Sequence, residues 1–392
     1  MNTNQTNEAA KTSPVRILIN IICAIVGLGL TALLLWNILH SQTSRTDALE
    51  AEPTEPVSVT MMDTYDTFID GIMDEAYKAA KSVRKIFWID EDAELPPKAD
   101  PAKYGETDDP TTLQWLLDDA AELLEGQDMT FSTDVKILEG SKITYYLDDS
   151  ILAITWKEVH YNFVYTLTEV KVAHPSQVRR YIAEETYGSD YLYEPTEMAA
   201  MMNAVAAISG DYYRGRNYGI VVYDGVVYQA SAGKHVDTCY VDRNGDFHFT
   251  FRGDIMDMES AQKFVDEHDI SFSLAFGPVL VDDGVRCEPA SYALGEVNDC
   301  YPRAAICQKD KLHYILVAAN WESYYYDSPD IHTLAEVVAG LNVEKAYTLD
   351  GGKTGAIAMD GKLMNHTHNL RQRAISDIVY FATAIPDGSG ED

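Results

Sequence analysis

The sequence predicts an α+β protein: a β-rich domain with flanking helices, preceded by one transmembrane helix and a helical accessory region. Three observations lead to this class. A long apolar run lies near the N-terminus, two segments before residue 130 have apolar residues at helical spacing, and the chain from Lys142 onward is rich in β-type segments. Together these patterns favour a sheet whose connecting loops could hold a functional site.

The composition limits the kinds of partner. The chain has 392 residues, of which 46% are hydrophobic, so it can bury a sizeable core. Its formal net charge is −32. Nucleic acid is excluded as a partner on this ground, because phosphate backbones are bound by clustered Lys and Arg. A phosphate-bearing substrate would need a local basic pocket.

A nearly continuous apolar run from Ile17 to Leu39 predicts a transmembrane helix. At about 1.5 Å per residue this helix is roughly 35 Å long, which is enough to cross a bilayer. Lys11 and Arg16 precede the run and mostly acidic residues follow it. Residues 1–16 are therefore predicted to be a cytoplasmic tail, and the rest of the chain to be extracellular. A cleaved signal peptide is the alternative, although its apolar core is usually shorter.

Residues 40–135 are predicted to be a linker and the helical accessory region. A helix from Tyr65 to Ile86 has apolar residues at the alternating steps of four and three that are typical of a heptad seam. This seam could form a homodimeric coiled coil or pack on the chain's own domain. Leu95 to Pro110 is rich in proline and acidic residues and is predicted to be a loop, after which Thr111 or Thr112 could cap a second helix.

Residues 136–386 are predicted to form the main domain. It begins with the β-type segments ITYYL, ILAITW and HYNFVYTLTEVKV, joined by short polar turns. Asp-Gly pairs that begin at Asp224, Asp283 and Asp360 each lie between two β-type segments and predict hairpins. Residues 333–341 have helical spacing, and residues 345–350 predict a strand that runs into a glycine-rich turn.

That turn has the sequence DGGKT, from Asp350 to Thr354. Gly352, Lys353 and Thr354 match the end of a nucleotide-binding P-loop. A P-loop also needs a glycine five residues before its Gly-Lys pair, and Tyr347 stands at that position. The sequence therefore argues against a P-loop, and the turn remains a candidate site of another kind.

Six segments occur in the order that is typical of one known family. They are AAISGDYYRGRNYGIVVYDGVVY, FGPVLVDDGV, YPRAAI, HTLAEVVAGL, AYTLDGGKTGAIAMDGKLMN and RAISDIVYFATA. In these segments the chain resembles the phosphodiester glycosidase family, over roughly residues 207–384. The resemblance implies a β-rich catalytic domain and an enzyme of the glycoside hydrolase type that acts on sugar phosphodiesters.

The resemblance also indicates which residues form the site. Asp350 and Asp211 are the candidate catalytic residues. Candidate substrate-binding residues are Gly210, Arg303, Gly351, Gly352, Thr354, Asn365 and Arg373. The chain departs from the family pattern at Ser209, where Asn is usual, and at Lys353, where a third glycine is usual. Because that glycine could be needed for a positive φ angle, Lys353 suggests reduced or altered activity.

These residue types suit a phosphodiester. Backbone N–H groups of the glycine turn could form an anion-binding nest, and the guanidinium groups of Arg303 and Arg373 could bind phosphate oxygens. Cleavage at the anomeric carbon builds positive charge on the sugar, so a carboxylate that stabilises the sugar or activates water is expected. Each residue also has a plainer interpretation, since Asp before glycines often only shapes a turn and surface Arg often pairs with a carboxylate.

Other candidate features carry less weight. No cofactor or metal ligand is predicted, although the sequence does not exclude the binding of a divalent metal. His366 and His368 are interpreted as part of a solvated loop. Tyrosines at 212–213 and 324–326 could stack on sugar rings or pack in the core. The sequence allows one or two disulfides, or alternatively buried thiols, at Cys239, Cys287, Cys300 and Cys307.

The sequence thus predicts a membrane-anchored extracellular hydrolase that cleaves a glycosyl phosphodiester in a cell-surface glycan, with a glycosyl phosphodiester or cell-envelope glycan as its partner. A non-catalytic protein of the same fold that binds glycan or phosphoglycan is the main alternative, and Ser209 and Lys353 favour it. A third hypothesis is an assembly protein that acts through the helix at 65–86. The intact order of the motifs argues against this third hypothesis.

Overall fold

The computed structural model describes residues 95–124, 138–211, 213–231, 236–255, 257–289, 299–320, 328–367 and 372–385. All of them belong to one compact unit, residues 77–392. The predicted transmembrane helix at 17–39 and heptad helix at 65–86 lie outside the described residues. Within the described ranges, no helix is both long and apolar enough to cross a membrane.

The described structure contains strands, α-helices and short 3-10 turns. The strands are β1 (Tyr104–Thr107), β2 (Ile143–Leu147), β3 (Ile151–His160), β4 (Phe163–Val172), β5 (Val178–Ile182), β6 (Ala204–Ser209), β7 (Gly219–Tyr223), β8 (Val226–Ser231), β9 (Thr238–Asp242), β10 (Phe247–Thr250), β11 (Ile270–Leu274), β12 (Val279–Asp282), β13 (Val285–Arg286), β14 (Arg303–Asp310), β15 (His313–Asn320), β16 (Lys345–Leu349), β17 (Ile357–Met359), β18 (Lys362–Leu363) and β19 (Asp377–Ala382). The helices are α1 (Pro110–Leu123), α2 (Pro195–Met201), α3 (Met258–His268) and α4 (Ile331–Ala339). The 3-10 turns are Pro101–Lys103, Pro175–Gln177, Ala183–Glu185 and Tyr213–Gly215.

A large antiparallel sheet has the strand order β1-β2-β3-β4-β15-β14-β16-β12-β13. Its longest pairing is the hairpin of β3 and β4, which turns at Tyr161 and Asn162. Both turn residues have positive φ, 51° and 69°, as a two-residue hairpin requires. Apolar residues on both faces of these strands are buried, so the sheet must be covered on both sides.

Helices cover one face of the large sheet and a smaller sheet covers the other. Leu117 of α1 and Leu334 of α4 belong to one apolar cluster with Trp156 of β3. On the opposite face, Tyr347 of β16 packs in a cluster with Val379 of β19. The smaller sheet has the order β18-β17-β6-β19-β5, and helix α2 covers its outer side.

Two further sheets complete the described structure. One has the order β10-β9-β11, and the other is the hairpin of β7 and β8. Helix α3 packs against this hairpin through Val265, which shares a cluster with Val222 and Val227. In the chain, the hairpin of β7 and β8 lies between β6 of the small sheet and β9 of the three-stranded sheet.

The α+β class is confirmed for the described residues, and so are the three Asp-Gly hairpins. Asp224, Asp283 and Asp360 have φ angles of 49°, 49° and 53°, and the glycine that follows each also has a positive φ. Asp tolerates this left-handed conformation because its short side chain can bond locally. The hairpins are β7–β8, β12–β13 and β17–β18.

The prediction of a loop from Leu95 to Pro110 was wrong in part. Residues Tyr104–Thr107 form strand β1, which pairs with β2 at the edge of the large sheet. The YGET segment lacks the apolar alternation by which a strand is predicted. It can still form a strand, because an edge strand buries few of its side chains. The N-cap of the following helix is Asp109, two residues before Thr111: the Asp109 carboxylate accepts from the Thr111 N–H at 2.9 Å.

Residues 95–124, which the sequence analysis placed in the accessory region, thus pack on the large sheet. Strand β1 extends that sheet, and the leucine-rich face of α1 is buried against it, with Leu113, Leu116 and Leu117 all less than a tenth exposed. The apolar pattern predicted the buried face correctly. It could not predict the element on which this face packs.

Candidate active site

The glycine turn connects the two packed sheets. Strand β16 ends at Leu349 in the large sheet, and β17 begins at Ile357 in the small one. Beside the turn, Ala304 of β14 pairs with Leu349, and the Ser209 N–H at the end of β6 donates to the Ala356 carbonyl at 3.0 Å. The ends of strands from both sheets therefore meet at residues 350–356.

Gly351 and Gly352 fasten this turn to the segment before β14. A Cβ on Gly351 would lie 2.1 Å from the Pro302 carbonyl oxygen, so only glycine fits without a shift of the backbone. Gly352 has a φ of 65°, and its N–H donates to the same carbonyl at 2.8 Å. The predicted anion-binding nest therefore lacks the Gly352 N–H, which already has a partner.

Lys353 is the exposed residue of this turn. Of the described residues in the turn, Gly352 alone has a positive φ, so Lys353 does not adopt the conformation that would demand a glycine. Its carbonyl accepts from the Arg373 N–H at 3.1 Å, which ties the turn to the segment before β19. The Thr354 hydroxyl donates to the Gly351 carbonyl and helps to close the turn.

Asp350 begins the turn and reaches the surface. The residue is partly exposed, and burial of its carboxyl group raises its pKa to about 6. The Thr354 hydroxyl and the positive charges of Arg216 and Arg373 oppose this rise, whereas the charge of Asp211 adds to it. Asp350 is thus a carboxyl group that titrates close to neutral pH beside two arginines.

Asp211 lies at the end of β6, and its side chain is fully buried. One carboxylate oxygen accepts from the Ala275 N–H at 2.8 Å, and the other is 3.5 Å from Nη2 of Arg216. The first oxygen is also 3.6 Å from Nη2 of Arg180. Asp211 therefore orients two arginines and a backbone segment, whereas Asp350 is the predicted catalytic residue that is partly exposed.

Asp377 and Arg180 complete the buried part of the site. Oδ2 of Asp377 lies 2.7 Å from Nη2 and 2.9 Å from Nε of Arg180, and it accepts from the Asp211 N–H at 3.1 Å. Burial and the charge of Asp211 raise the pKa of Asp377, while Arg180 opposes the rise. Burial tends to lower the pKa of Arg180, but the two carboxylates outweigh it and raise that pKa.

Gly210 makes this network possible. A Cβ at Gly210 would lie 2.0 Å from Oδ2 of Asp377, so the carboxylate occupies the space that any other side chain would take. The Gly210 N–H also donates to the Asp377 carbonyl at 3.0 Å. The predicted binding residue thus contacts Asp377 directly.

The other predicted site residues lie around the turn. Arg303 is buried, with Nη2 2.7 Å from the Asp299 carbonyl and Nε 3.4 Å from the Pro329 carbonyl. Arg373 is exposed and close enough to Asp350 to lower its pKa. Asn365 is buried: its amide accepts from the Ile357 N–H at 2.7 Å and donates to the Gly355 carbonyl at 2.8 Å, which holds the end of the turn.

Sequence reasoning missed Arg180, Arg216 and Asp377. Arg180 and Asp377 are charged residues within the apolar strands VRRYI and DIVYFA, and a charge at a buried strand position is the signal that could have identified them. Arg216 lies within the first family motif, in the sequence RGR. The sequence alone does not indicate which of the two arginines, Arg214 or Arg216, faces inward. The structure places the Arg214 side chain towards solvent and that of Arg216 on Asp211.

Cysteines and histidines do not form a metal site in the described part of the chain, where no group of three or more His, Cys, Asp or Glu side chains could hold a metal. Cys239, Cys287, Cys300 and Cys307 are free thiols. His366 is described and His368 is not, nor are Tyr212 and residues 324–326. Tyr213 is buried near Arg180.

One family model matches part of the chain. Residues 202–382 match the model described as phosphodiester glycosidase. This segment contains β6, the glycine turn and β19, and the family resemblance predicted from the six motifs is confirmed over it.

Three solved structures match part of this chain. A hypothetical protein from Synechocystis is 13% identical, with a TM-score of 0.47 over 62% of this chain and 64% of that chain, so the match spans less than two thirds of that protein. The catalytic domain of zebrafish N-acetylglucosamine-1-phosphodiester alpha-N-acetylglucosaminidase, auto-inhibited by its pro-peptide, is 16% identical, with a TM-score of 0.46 over 64% of this chain and 86% of that chain. A putative exported protein from Burkholderia pseudomallei is 12% identical, with a TM-score of 0.39 over 56% of this chain and 74% of that chain. No curated protein sequence matched.

Proposed function

We propose that this chain hydrolyses a glycosyl phosphodiester, that is, a sugar whose anomeric oxygen is joined to a phosphodiester, in a cell-surface glycan. The observation that carries the proposal is Asp350, a partly exposed residue at the start of the family's glycine turn, whose largely buried carboxyl group has a pKa raised to about 6. A catalytic acid or base works best when its pKa lies near the working pH. The match of residues 202–382 to the family model supports the reaction class.

In the proposed reaction Asp350 acts in its ionised form. Water adds to the anomeric carbon, the bond between that carbon and the phosphate oxygen breaks, and the phosphate leaves with the electron pair as a phosphomonoester. The proton of the attacking water passes to the Asp350 carboxylate, which also stabilises positive charge on the sugar ring. The products are a free sugar and a phosphomonoester.

Arg373 is the best candidate to contact the phosphate. It is exposed and lies close to Asp350, whereas the guanidinium group of Arg303 already bonds two backbone carbonyls. We assign Arg303 to holding the segment against which the glycine turn packs. Gly210, Gly351, Gly352, Thr354 and Asn365 then shape the site through backbone contacts, and direct substrate binding by them stays a prediction.

The test is hydrolysis of a panel of sugar 1-phosphodiesters with a methyl group on the second phosphate ester, followed by measurement of released methyl phosphate. Wild type should release it, and Asp350→Asn should lower kcat by about a hundredfold or more. The matched control is Asp360→Asn, because Asp360 also begins a turn, with φ 53°, but lies in the β17–β18 hairpin. Near wild-type turnover by Asp350→Asn would end the catalytic assignment.

A non-catalytic glycan-binding protein is the second candidate function. The hydrogen bonds of Gly352 and Arg303 favour it, because two expected phosphate donors bond to backbone carbonyls instead. The same panel separates the two functions. Saturable binding of the sugar phosphodiesters without any release of methyl phosphate would support the binding protein and contradict the hydrolase.

A further inference from the structure

A series of three stacked tyrosine rings leads away from the buried carboxylates of the site. The guanidinium carbon of Arg180 lies 5.5 Å from the ring centre of Tyr213. Tyr213 stacks on Tyr187 with ring centres 5.5 Å apart and planes at 24°. Tyr187 stacks in turn on Tyr228, at 5.2 Å and 25°. Tyr213, Tyr187 and Tyr228 are called the tyrosine stack below.

The tyrosine stack runs from the interior to the surface. Tyr213 is 3% exposed, Tyr187 is half-buried and Tyr228 is 42% exposed. The inner end lies near the buried part of the site, since the Tyr213 ring centre is 5.5 Å from the guanidinium carbon of Arg180, which pairs with Asp377. The outer end therefore presents an aromatic ring to solvent two ring contacts away from Tyr213, which lies beside Arg180 of the site.

The outer ring packs on Tyr187 on one side and belongs to a supported strand. Tyr228 lies in strand β8, which pairs with β7 and is backed by helix α3. The Tyr187 hydroxyl donates to Oε1 of Gln229 at 3.0 Å, which joins the middle of the stack to the residue after Tyr228. A ring that already packs on a neighbour loses less conformational entropy when a ligand binds to it than a ring without one.

We propose that Tyr228 is a platform for a sugar ring of the substrate beyond the sugar that reacts, so that the substrate is an oligosaccharide or a longer glycan. The C–H-rich face of a pyranose suits the electron-rich face of an aromatic ring, and a phenolic hydroxyl at the rim can bond to sugar hydroxyls. The net charge of −32 disfavours nucleotides of nucleic acid as the stacked group. The choice of a glycan rests on the proposed function.

The kinetic test uses the full-length chain and two substrates that share the same reacting sugar phosphodiester, one of them extended by three further sugars. Tyr228→Ala should raise KM for the extended substrate about three- to tenfold and leave kcat unchanged, since aromatic stacking is worth about 0.5–1.5 kcal/mol. The short substrate should be unaffected. Tyr228→Phe keeps the ring and loses only the hydroxyl, so its KM for the extended substrate should stay closer to that of wild type than to that of Tyr228→Ala.

The binding test does not depend on turnover. Affinity of the full-length chain for phosphate-free tetrasaccharides of glucose and of N-acetylglucosamine is measured for Asp350→Asn and for Asp350→Asn with Tyr228→Ala. If Asp350→Asn binds a tetrasaccharide and the double variant does not, the platform is supported even if no phosphodiester is hydrolysed. The control is Trp115→Ala, which removes an exposed ring, 65% accessible, from helix α1.

Two results would overturn the platform. One is equal binding of the tetrasaccharides with and without the Tyr228 ring, and the other is no binding of any tetrasaccharide by either protein. Equal KM values for the extended substrate in wild type and Tyr228→Ala would contradict the platform while leaving the proposed hydrolysis intact.

Discussion

At the scale of single residues, Asp350 is partly exposed, and its carboxyl group lies in an environment that disfavours its charge. Burial raises its pKa to about 6, and the nearby arginines limit the rise. Asp211 has the opposite character, because its side chain is fully buried and holds arginines and a backbone amide. The two predicted carboxylates therefore differ in what they can touch.

The pH dependence of the reaction follows from the pKa of Asp350. If the ionised form is the active one, kcat/KM should be constant above pH 7 and fall about tenfold for each pH unit below 6. Initial rates on the best sugar 1-phosphodiester between pH 4.5 and 8 measure this profile. Rates that instead increase as the pH falls below 6 would make Asp350 a general acid.

The same residue should reduce the stability of the fold. Its pKa is raised from 3.8, so the native state favours the protonated form, and a penalty appears as pH rises from about 4 to about 6. Asp350→Asn removes the charge and should stabilise the protein at pH 7.5 by about 1–3 kcal/mol. Urea denaturation at pH 7.5 and at pH 4 checks this, since the gain should vanish at the lower pH.

The residues that could be predicted from the sequence are those with a local signal. Asp350, the glycines and Arg373 stand in motifs, and the structure places them around one turn. Arg180 and Asp377 have no such signal, because they are 197 residues apart in the chain and meet only when β5 pairs with β19. Partners at such a distance cannot be read from spacing along the chain.

At the scale of elements, a buried ion pair joins neighbouring strands of the small sheet. The Asp377 and Arg180 side chains are both inaccessible to solvent. Asp377→Asn should lower the free energy of unfolding by about 1–3 kcal/mol, because it removes the closer of the two carboxylates that face the buried Arg180 and leaves only Asp211, 3.6 Å away. Urea denaturation at pH 7.5 measures the loss.

A surface arginine provides the control for that measurement. The Arg243 side chain is 52% exposed, and its guanidinium group lies 3.5 Å from Asp224 and 3.4 Å from Asp269. Arg243→Met should cost less than about 1 kcal/mol, as is usual for exposed ion pairs. Similar losses for Asp377→Asn and Arg243→Met would contradict a structural role for the buried pair.

The glycine turn should be intolerant of a side chain at Gly351. Gly351→Ala brings a methyl group within 2.1 Å of the Pro302 carbonyl oxygen and should cost about 1–3 kcal/mol, with loss of activity as the turn shifts. The control is Gly140→Ala, at a glycine with φ 79° and no atom near the added methyl group. It should show only the smaller cost of backbone strain and keep its activity.

Local elements were easier to predict than their arrangement. The hairpins at the Asp-Gly pairs and the strand before the glycine turn follow from residues that lie side by side in the sequence. The order of strands does not, since β16 lies between β14 and β12, and β6 lies between β17 and β19. Pairing between distant strands depends on burial of both faces, which alternation alone does not specify.

At the scale of the whole molecule, membrane anchoring and extracellular location stay predictions from the N-terminal sequence. Protease added to intact cells should degrade the domain that carries the site and spare a short N-terminal fragment that contains residues 17–39. Lysed cells serve as the control. Complete protection in intact cells would contradict the predicted orientation, and sedimentation of the purified chain would show whether the helix at 65–86 forms a homodimer.

The position of β19 within the small sheet has a consequence for synthesis of the chain. β19 lies between β5 and β6, which leave the ribosome much earlier. At a synthesis rate of about 5–20 residues per second, β19 is made roughly ten to thirty seconds after the two strands that it pairs with. During that interval their hydrogen-bonding edges and the Arg180 charge have no native partner in β19, which makes the nascent chain a substrate for chaperones before it can be an enzyme.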